Sequence, residues 1–261
     1  MIARMERMLD GKVAIVTGIG PGMGRSIAVQ FAREGAEVVL AARRKERLEA
    51  VADELRASGS DPLVVPTDIS DMEQCDQLVD AAVERFGGVD VFVQNGHHPG
   101  DWTAAVDADL DSWHEIMEIN FFGALKLSQR VVPVMRQRGG GRIILVNSGA
   151  QFSSPPTMGA YAASKAALAS LVRTLSNEVA STGVLVNGVT LGPVRGENYA
   201  SHVPADSDEE RERIMDERGA ALPLGHIPTP DECAGAVLFF ASPLADAITG
   251  QHLNVNGGQW V

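Results

Sequence analysis

Val13-Ala14-Ile15-Val16-Thr17-Gly18-Ile19-Gly20-Pro21-Gly22-Met23-Gly24-Arg25 decides the fold of this chain. Its first five residues read as a buried strand. Four glycines follow, and Ser26-Ile27-Ala28-Val29-Gln30-Phe31 then continues with helical spacing. A strand that turns through glycines into a helix leaves the first backbone N–H groups of that helix without partners, and these can cradle a pyrophosphate. Gly18, Gly20, Gly22 and Gly24 suit the role because a side chain would block the approach of the phosphates. A tight turn without a ligand is the competing reading, and the strand before and helix after weigh against it.

Outward from this stretch, short β-rich runs alternate with longer helical patterns. Strands are predicted at 13–17, 38–42, 63–67, 89–94, 142–147, 184–189 and 252–255. Helices are predicted at 22–34, 45–58, 72–86, 112–138, 157–181 and 230–240, the last opened by a Thr229-Pro230-Asp231-Glu232 capping box. Most of the strands are continuously apolar, as expected for parallel strands covered on both faces. The prediction is an α/β protein: one domain over 1–261, with a doubly wound, seven-stranded parallel sheet and helices on both faces. The segment 196–228 is an irregular, charge-rich insert that reads equally as a substrate lid or as a surface excursion. Glu209 and Arg213 offer it helical i,i+4 support.

The chain has 261 residues and a formal net charge of −12, which weighs against nucleic acid and acidic membranes as partners. No apolar run approaches the roughly 20 residues of a membrane span. The N-terminal MIARMERMLD lacks the apolar core of a secretory leader. Cys75 and Cys233 show no metal-ligand or CxxC spacing. A cytoplasmic protein with two core thiols is expected, and no metal: His97 and His98 are adjacent in an extended segment and point apart.

Several polar residues fall where core or sheet-edge positions are expected. After the second strand, Arg43 and Arg44 replace the acid that often binds adenosine ribose hydroxyls. They either pair with a 2′-phosphate or decorate a helix start. Asp68 either accepts from an adenine amino group or caps the next helix. Asn120 lies in an inward stripe with Trp113, Met117, Ala124, Leu127 and Val131, as a structural tie or as a holder of water near a reacting centre. Ser148 ends the fifth strand at the carboxyl edge of the sheet, outside any G-x-S-x-G elbow, and reads as a donor to a carbonyl. Tyr161 and Lys165 share the inward face of a helix with Leu168, Val172 and Leu175. A nearby ammonium favours phenolate and lowers a tyrosine pKa, which would make Tyr161 an acid–base catalyst. YxxxK alone reads as core, but the glycine loop and Ser148 reverse that judgement.

Together these residues resemble the short-chain dehydrogenase/reductase family, from about Leu9 to the C-terminus. Its TGxxxGxG stands here as Thr17-Gly18-Ile-Gly-Pro-Gly22-Met-Gly24, its N-x-x-G as Asn120-Phe-Phe-Gly123, and its YxxxK as Tyr161 and Lys165. Asp68, Ser148 and the ending Ile248–Gly258 also match. The resemblance implies a Rossmann fold and hydride exchange between a nicotinamide coenzyme and a ketone or secondary alcohol. It assigns Tyr161 to proton transfer, Ser148 to the substrate oxygen, Lys165 to the nicotinamide ribose and Asn120 to a water in the relay. It adds Met23, Asn95, Gly96, Gly192 and Val194 to the coenzyme contacts, and a homodimer or homotetramer. With Arg43, NADP(H) is preferred and NAD(H) is possible. A non-redox or catalytically silent nucleotide-binding member is the alternative. Three positions depart from the pattern: His97 replaces the last glycine of NNAG, Gly196 the threonine of PGxVxT, and Asn256 an aspartate. His97, Trp102, Phe152, Met158, Tyr199 and lid residues such as Met215 are the candidate substrate pocket.

Overall fold

Seven strands form a single sheet in the order β3-β2-β1-β4-β5-β6-β7, and every neighbouring pair runs parallel. They are β1 (Val13–Thr17), β2 (Glu37–Ala42), β3 (Leu63–Pro66), β4 (Val91–Gln94), β5 (Gly141–Ser148), β6 (Val184–Leu191) and β7 (His252–Val255). The computed structural model describes residues 7–260, so residues 1–6 and 261 of the predicted domain lie outside it. No described helix is long and apolar enough to cross a membrane.

Helices cover both faces. On one lie α1 (Met23–Arg33), α2 (Lys45–Ala57) and α9 (Pro230–Ala241). On the other lie α3 (Met72–Phe86), α5 (Gly123–Gln137) and α6 (Gly159–Val179). The alternation of side chains along β1 serves both layers. Ala14 and Val16 pack with Ile27, Phe31 and Phe240, while Val13 and Ile15 pack with Leu78, Leu127 and Val172. Each such large apolar side chain contributes about 1.5–3 kcal/mol through burial. This double cover explains the uninterrupted apolar strands.

Helix ends follow local chemistry. Asp71 opens α3 by accepting from the backbone N–H of Glu73 and Gln74, and left-handed Gly87 ends it. Thr229 and Glu232 complete the predicted box at α9. The predicted single helix over 112–138 is instead α4 (Leu110–Met117), a π turn (Glu118–Phe122) and α5. The extra residue of the π turn changes the phase of the buried stripe. Upstream of it Ile116 is fully buried, whereas Trp113 and Met117 are half-buried.

The insert after β6 carries α7 (Glu197–Ala200) and α8 (Asp208–Ala220) around a small core of Val203, Met215 and Ile227. Met215 is spent in that core rather than facing a pocket. Arg213 pairs with Glu217 at 2.6 Å, not with Glu209. Arg195 ties the insert to its stem: its guanidinium meets Asp216 at 2.7 Å and also Glu212, and its N–H donates to the Pro228 carbonyl.

Candidate active site

The strand order reverses between β1 and β4, and their carboxyl ends splay into a crevice, the usual ligand position in such sheets. Thr17 closes the base of that crevice. Its hydroxyl donates to Gln94 Oε1 at 2.8 Å and accepts from the N–H groups of Asn95 and Gly96. Asn95 Nδ2 donates to the Gly18 carbonyl at 2.9 Å. The two loops therefore touch backbone to backbone. A Cβ on Gly18, whose φ is +69°, would lie 2.4 Å from Gly96 N, and one on Gly24 would lie 2.4 Å from the Gly18 oxygen. Only glycine fits either position. The α1 N-terminus has no side-chain cap and no acid in its first turn; Arg25 N–H donates to the Gly20 carbonyl, and the helix N–H groups before it remain open to an anion.

A cavity of about 870 Å³ extends from this loop across the carboxyl edge of the sheet. Gly18, Gly20, Gly22, Met23, Gly24, Arg43, Asp68, Asn95 and Gly96 line one end. Ser148, Tyr161, Lys165, Gly192 and Val194 line the middle, and His97, Trp102, Met158 and Tyr199 the far wall. Arg43, Arg44 and Arg47 all face the first end, and among the described residues none pairs with a carboxylate. The cradle thus fits a phosphorylated nucleotide, with backbone donors at the loop and three uncommitted guanidinium groups beyond it. Asp68 does not cap α3, which Asp71 does. Its carboxylate accepts from Ser70 N–H and Oγ–H at 2.9 and 2.6 Å.

Lys165 is 3% exposed and has no carboxylate partner among the described residues. Its Nζ donates to the Val146 carbonyl at 3.2 Å, and burial pulls its ammonium down to about 8. The nitrogen lies over the Tyr161 ring, 5.7 Å from the centroid. The expected lowering of the phenol by this ammonium is not what the environment gives. Burial pushes Tyr161 up, and hydrogen bonding with Ser148 opposes that rise. Asn147, one residue before Ser148, donates to the Lys165 carbonyl and accepts from Ser148 N–H, locking β5 to α6 beneath the site.

Two candidates leave the cavity wall. Asn120 is 1% exposed. Its Oδ1 accepts from His98 N–H at 2.6 Å, and its Nδ2 donates to the His98 carbonyl and to Ser164 Oγ. The π turn aims it at the loop after β4, and its side-chain donors are fully spent there. Phe152 points outward, 60% exposed and edge-on to Trp260. Trp260 takes the wall position instead, with its ring over Gly149 and a buried, unpartnered Nε1. Sequence reasoning also missed Arg47, His202 and Arg218. His202 stacks on Trp102 at 4.6 Å between ring centroids, and Trp102 holds a left-handed φ of 58°. Such strain in a non-glycine residue collects at functional loops.

A family model described as enoyl-(acyl carrier protein) reductase matches residues 18–259. The dehydrogenase/reductase SDR family member 4 of Bos taurus is 34% identical over 250 residues, covering 96% of this chain and 88% of that one. The chain belongs to the short-chain dehydrogenase/reductase family. This short-chain dehydrogenase/reductase is an NAD(P)-dependent oxidoreductase of CH–OH and C=O groups. It is also 32% identical to the 7alpha-hydroxysteroid dehydrogenase of Escherichia coli K12, over 96% of this chain and 94% of that one. A solved structure of a 7 alpha-hydroxysteroid dehydrogenase, complexed with NADH and 7-oxo glycochenodeoxycholic acid, superposes with a TM-score of 0.89 at 32% identity, covering 97% of this chain and 96% of that one.

Proposed function

We propose that this enzyme exchanges hydride between NADP(H), in preference to NAD(H), and a ketone or secondary alcohol, with Tyr161 as general acid/base. One observation carries the reading: Ser148, Tyr161 and Lys165 meet on the wall of the same cavity that the glycine cradle lines with three arginines that pair with no carboxylate among the described residues. When bound, the coenzyme supplies or accepts the hydride. The α1 N-terminus and the loop around Gly18–Gly24 would hold its pyrophosphate, and Arg43 with Arg44 or Arg47 its 2′-phosphate. The Lys165 ammonium has donors to spare beyond Val146 and would hold ribose hydroxyls.

Ser148 donates to the substrate oxygen and Tyr161 exchanges the proton on that oxygen. A phenol held above its ordinary pKa stays protonated at neutral pH, which is the form a carbonyl reduction requires. Asn120 acts as a positioning residue that fixes the His98 loop against α6. The insert 196–228 serves as a lid over the far wall. The outward residues Ala163, Ala166, Ala167 and Ser170 of α6 leave room for a second subunit in a homodimer or homotetramer. A cytoplasmic setting is supported by two buried free cysteines, whose thiols burial pushes up to about 11 and 12.

The test is a screen of ketones and secondary alcohols with NADPH and NADH, run on the wild type and Tyr161→Phe. Turnover favouring NADPH is expected. The variant should lose about 10²–10⁴-fold in kcat, the usual scale of general acid–base catalysis, while still binding coenzyme. Coenzyme binding without turnover of any compound would instead mark a silent nucleotide-binding member.

A further inference from the structure

The lid is densely charged, and the arginines of the lid and its stem are committed to carboxylates with one exception. Arg195 holds Glu212 and Asp216, Arg211 holds Asp208, and Arg213 holds Glu210 and Glu217. Arg218, in the last turn of α8, has no carboxylate within ion-pair distance among the described residues, in a chain of net charge −12. It lines the cavity instead. Tyr199 holds it there: the guanidinium lies over that ring, 6.0 Å from the centroid, and Nη1 donates to the phenol oxygen at 3.3 Å. A stacked guanidinium is restrained in direction while most of its N–H donors remain open.

His202 also lines this wall, and its Nδ1 is engaged with the Asn198 carbonyl at 2.6 Å. Among the described residues, two carboxylates line the cavity. Asp68 is at the coenzyme end and bonded to Ser70. Glu197 borders a smaller recess beside Pro21, Arg25 and Asp231, which Arg218 and Tyr199 do not line. Trp102 and Tyr199 add aromatic surface to the cavity that Arg218 and Tyr161 line.

We infer that the substrate is a keto acid or hydroxy acid with an apolar body, and that Arg218 is the receptor for its carboxylate. The inference rests on the redox reading above and narrows its substrate class. An open, restrained guanidinium pairs with a carboxylate in bidentate fashion, and a neutral ester of the same shape forfeits the charge-assisted bonds.

The experiment compares 4-oxo-4-phenylbutanoate with its methyl ester on NADP⁺-saturated protein, by calorimetric binding, and with NADPH by turnover. The wild type should favour the acid by about 10- to 100-fold, the scale of hydrogen bonds to charged groups. In Arg218→Ala the acid-to-ester ratio should fall toward one, and Arg218→Lys should restore part of it. Circular dichroism of both variants controls for folding. Equal binding of acid and ester by the wild type, or an unchanged ratio in Arg218→Ala, overturns the inference. Selective binding of the acid with no turnover by either coenzyme would keep the receptor and remove the redox reading. Turnover of the ester without preference for the acid would do the reverse.

Discussion

Gly18 and Gly196 both line the cavity, one in the coenzyme loop and the other at the stem of the lid, and they differ in what they tolerate. Gly18 is in left-handed conformation with backbone atoms of the β4 loop pressed against it. Gly196 has an extended backbone, and a Cβ there would meet only Pro230, at 3.9 Å. The coenzyme end is built from main chain touching main chain, where no atom can be added. The lid end is built from exposed ion pairs and stacked rings that can be exchanged singly. A fixed end for a common coenzyme and an adjustable end for particular substrates follow from these two kinds of construction.

The contrast is most directly broken at the two glycines. Gly18→Ala should cost on the order of 3 kcal/mol or more in unfolding free energy and abolish coenzyme binding, because neither backbone can retreat. Gly196→Ala should shift the thermal midpoint by no more than a degree or two. Similar losses at both positions would erase the distinction. Calorimetric unfolding and coenzyme titration read the outcome.

Lys165 is next in size. Its ammonium is held down to about 8 from an ordinary 10.5, so the unfolded chain binds the proton more tightly. The charged lysine therefore destabilises the fold in full below pH 8, and the penalty fades as pH rises toward 10.5. Lys165→Met should stabilise the coenzyme-free protein at pH 7 by up to about 3 kcal/mol, less the lost bond to Val146, while destroying activity. The gain should vanish by pH 10.5 in denaturant titrations.

Arg43→Ala should weaken NADPH at least about tenfold relative to NADH, the scale of a charge-assisted pair. Equal losses for the two coenzymes would assign Arg43 to the helix surface. The smallest effect is expected at Arg195→Gln, which releases Asp216 and Glu212 of the lid. Both pairs are partly exposed, so a change below about 1 kcal/mol is expected, seen as a modest rise in substrate KM. About 0.5 M salt should bring the wild type toward the variant.

The coenzyme end was legible in the sequence because its constraints are local. A strand, four glycines and a helix follow one another without interruption, and arginines stand where an acid would. Tyr161, Lys165 and Ser148 were legible through helical spacing and strand ends. Asn120 was read in the right place, yet its partners could not be, because a π turn cannot be seen in an apolar periodicity of 3.6. Phe152 was expected on the cavity wall and Trp260 was not considered: a ring in a loop can turn either way, and tertiary packing decides. Arg218 was hidden among the lid charges. Which arginine lacks a carboxylate depends on pairings such as Arg213 with Glu217, and spacing alone suggested Glu209 for that residue.

The Thr17 hydroxyl bond to Gln94 joins residues 77 positions apart. It is formed by strands that neighbour each other in space while two complete β-α units separate them in the chain. Loop closure of that length slows pairing during folding. An emerging polypeptide therefore cannot form the nucleotide cradle until β4 has been synthesised. Coenzyme added during refolding is expected to arrest unfolding of the finished sheet rather than to seed its assembly.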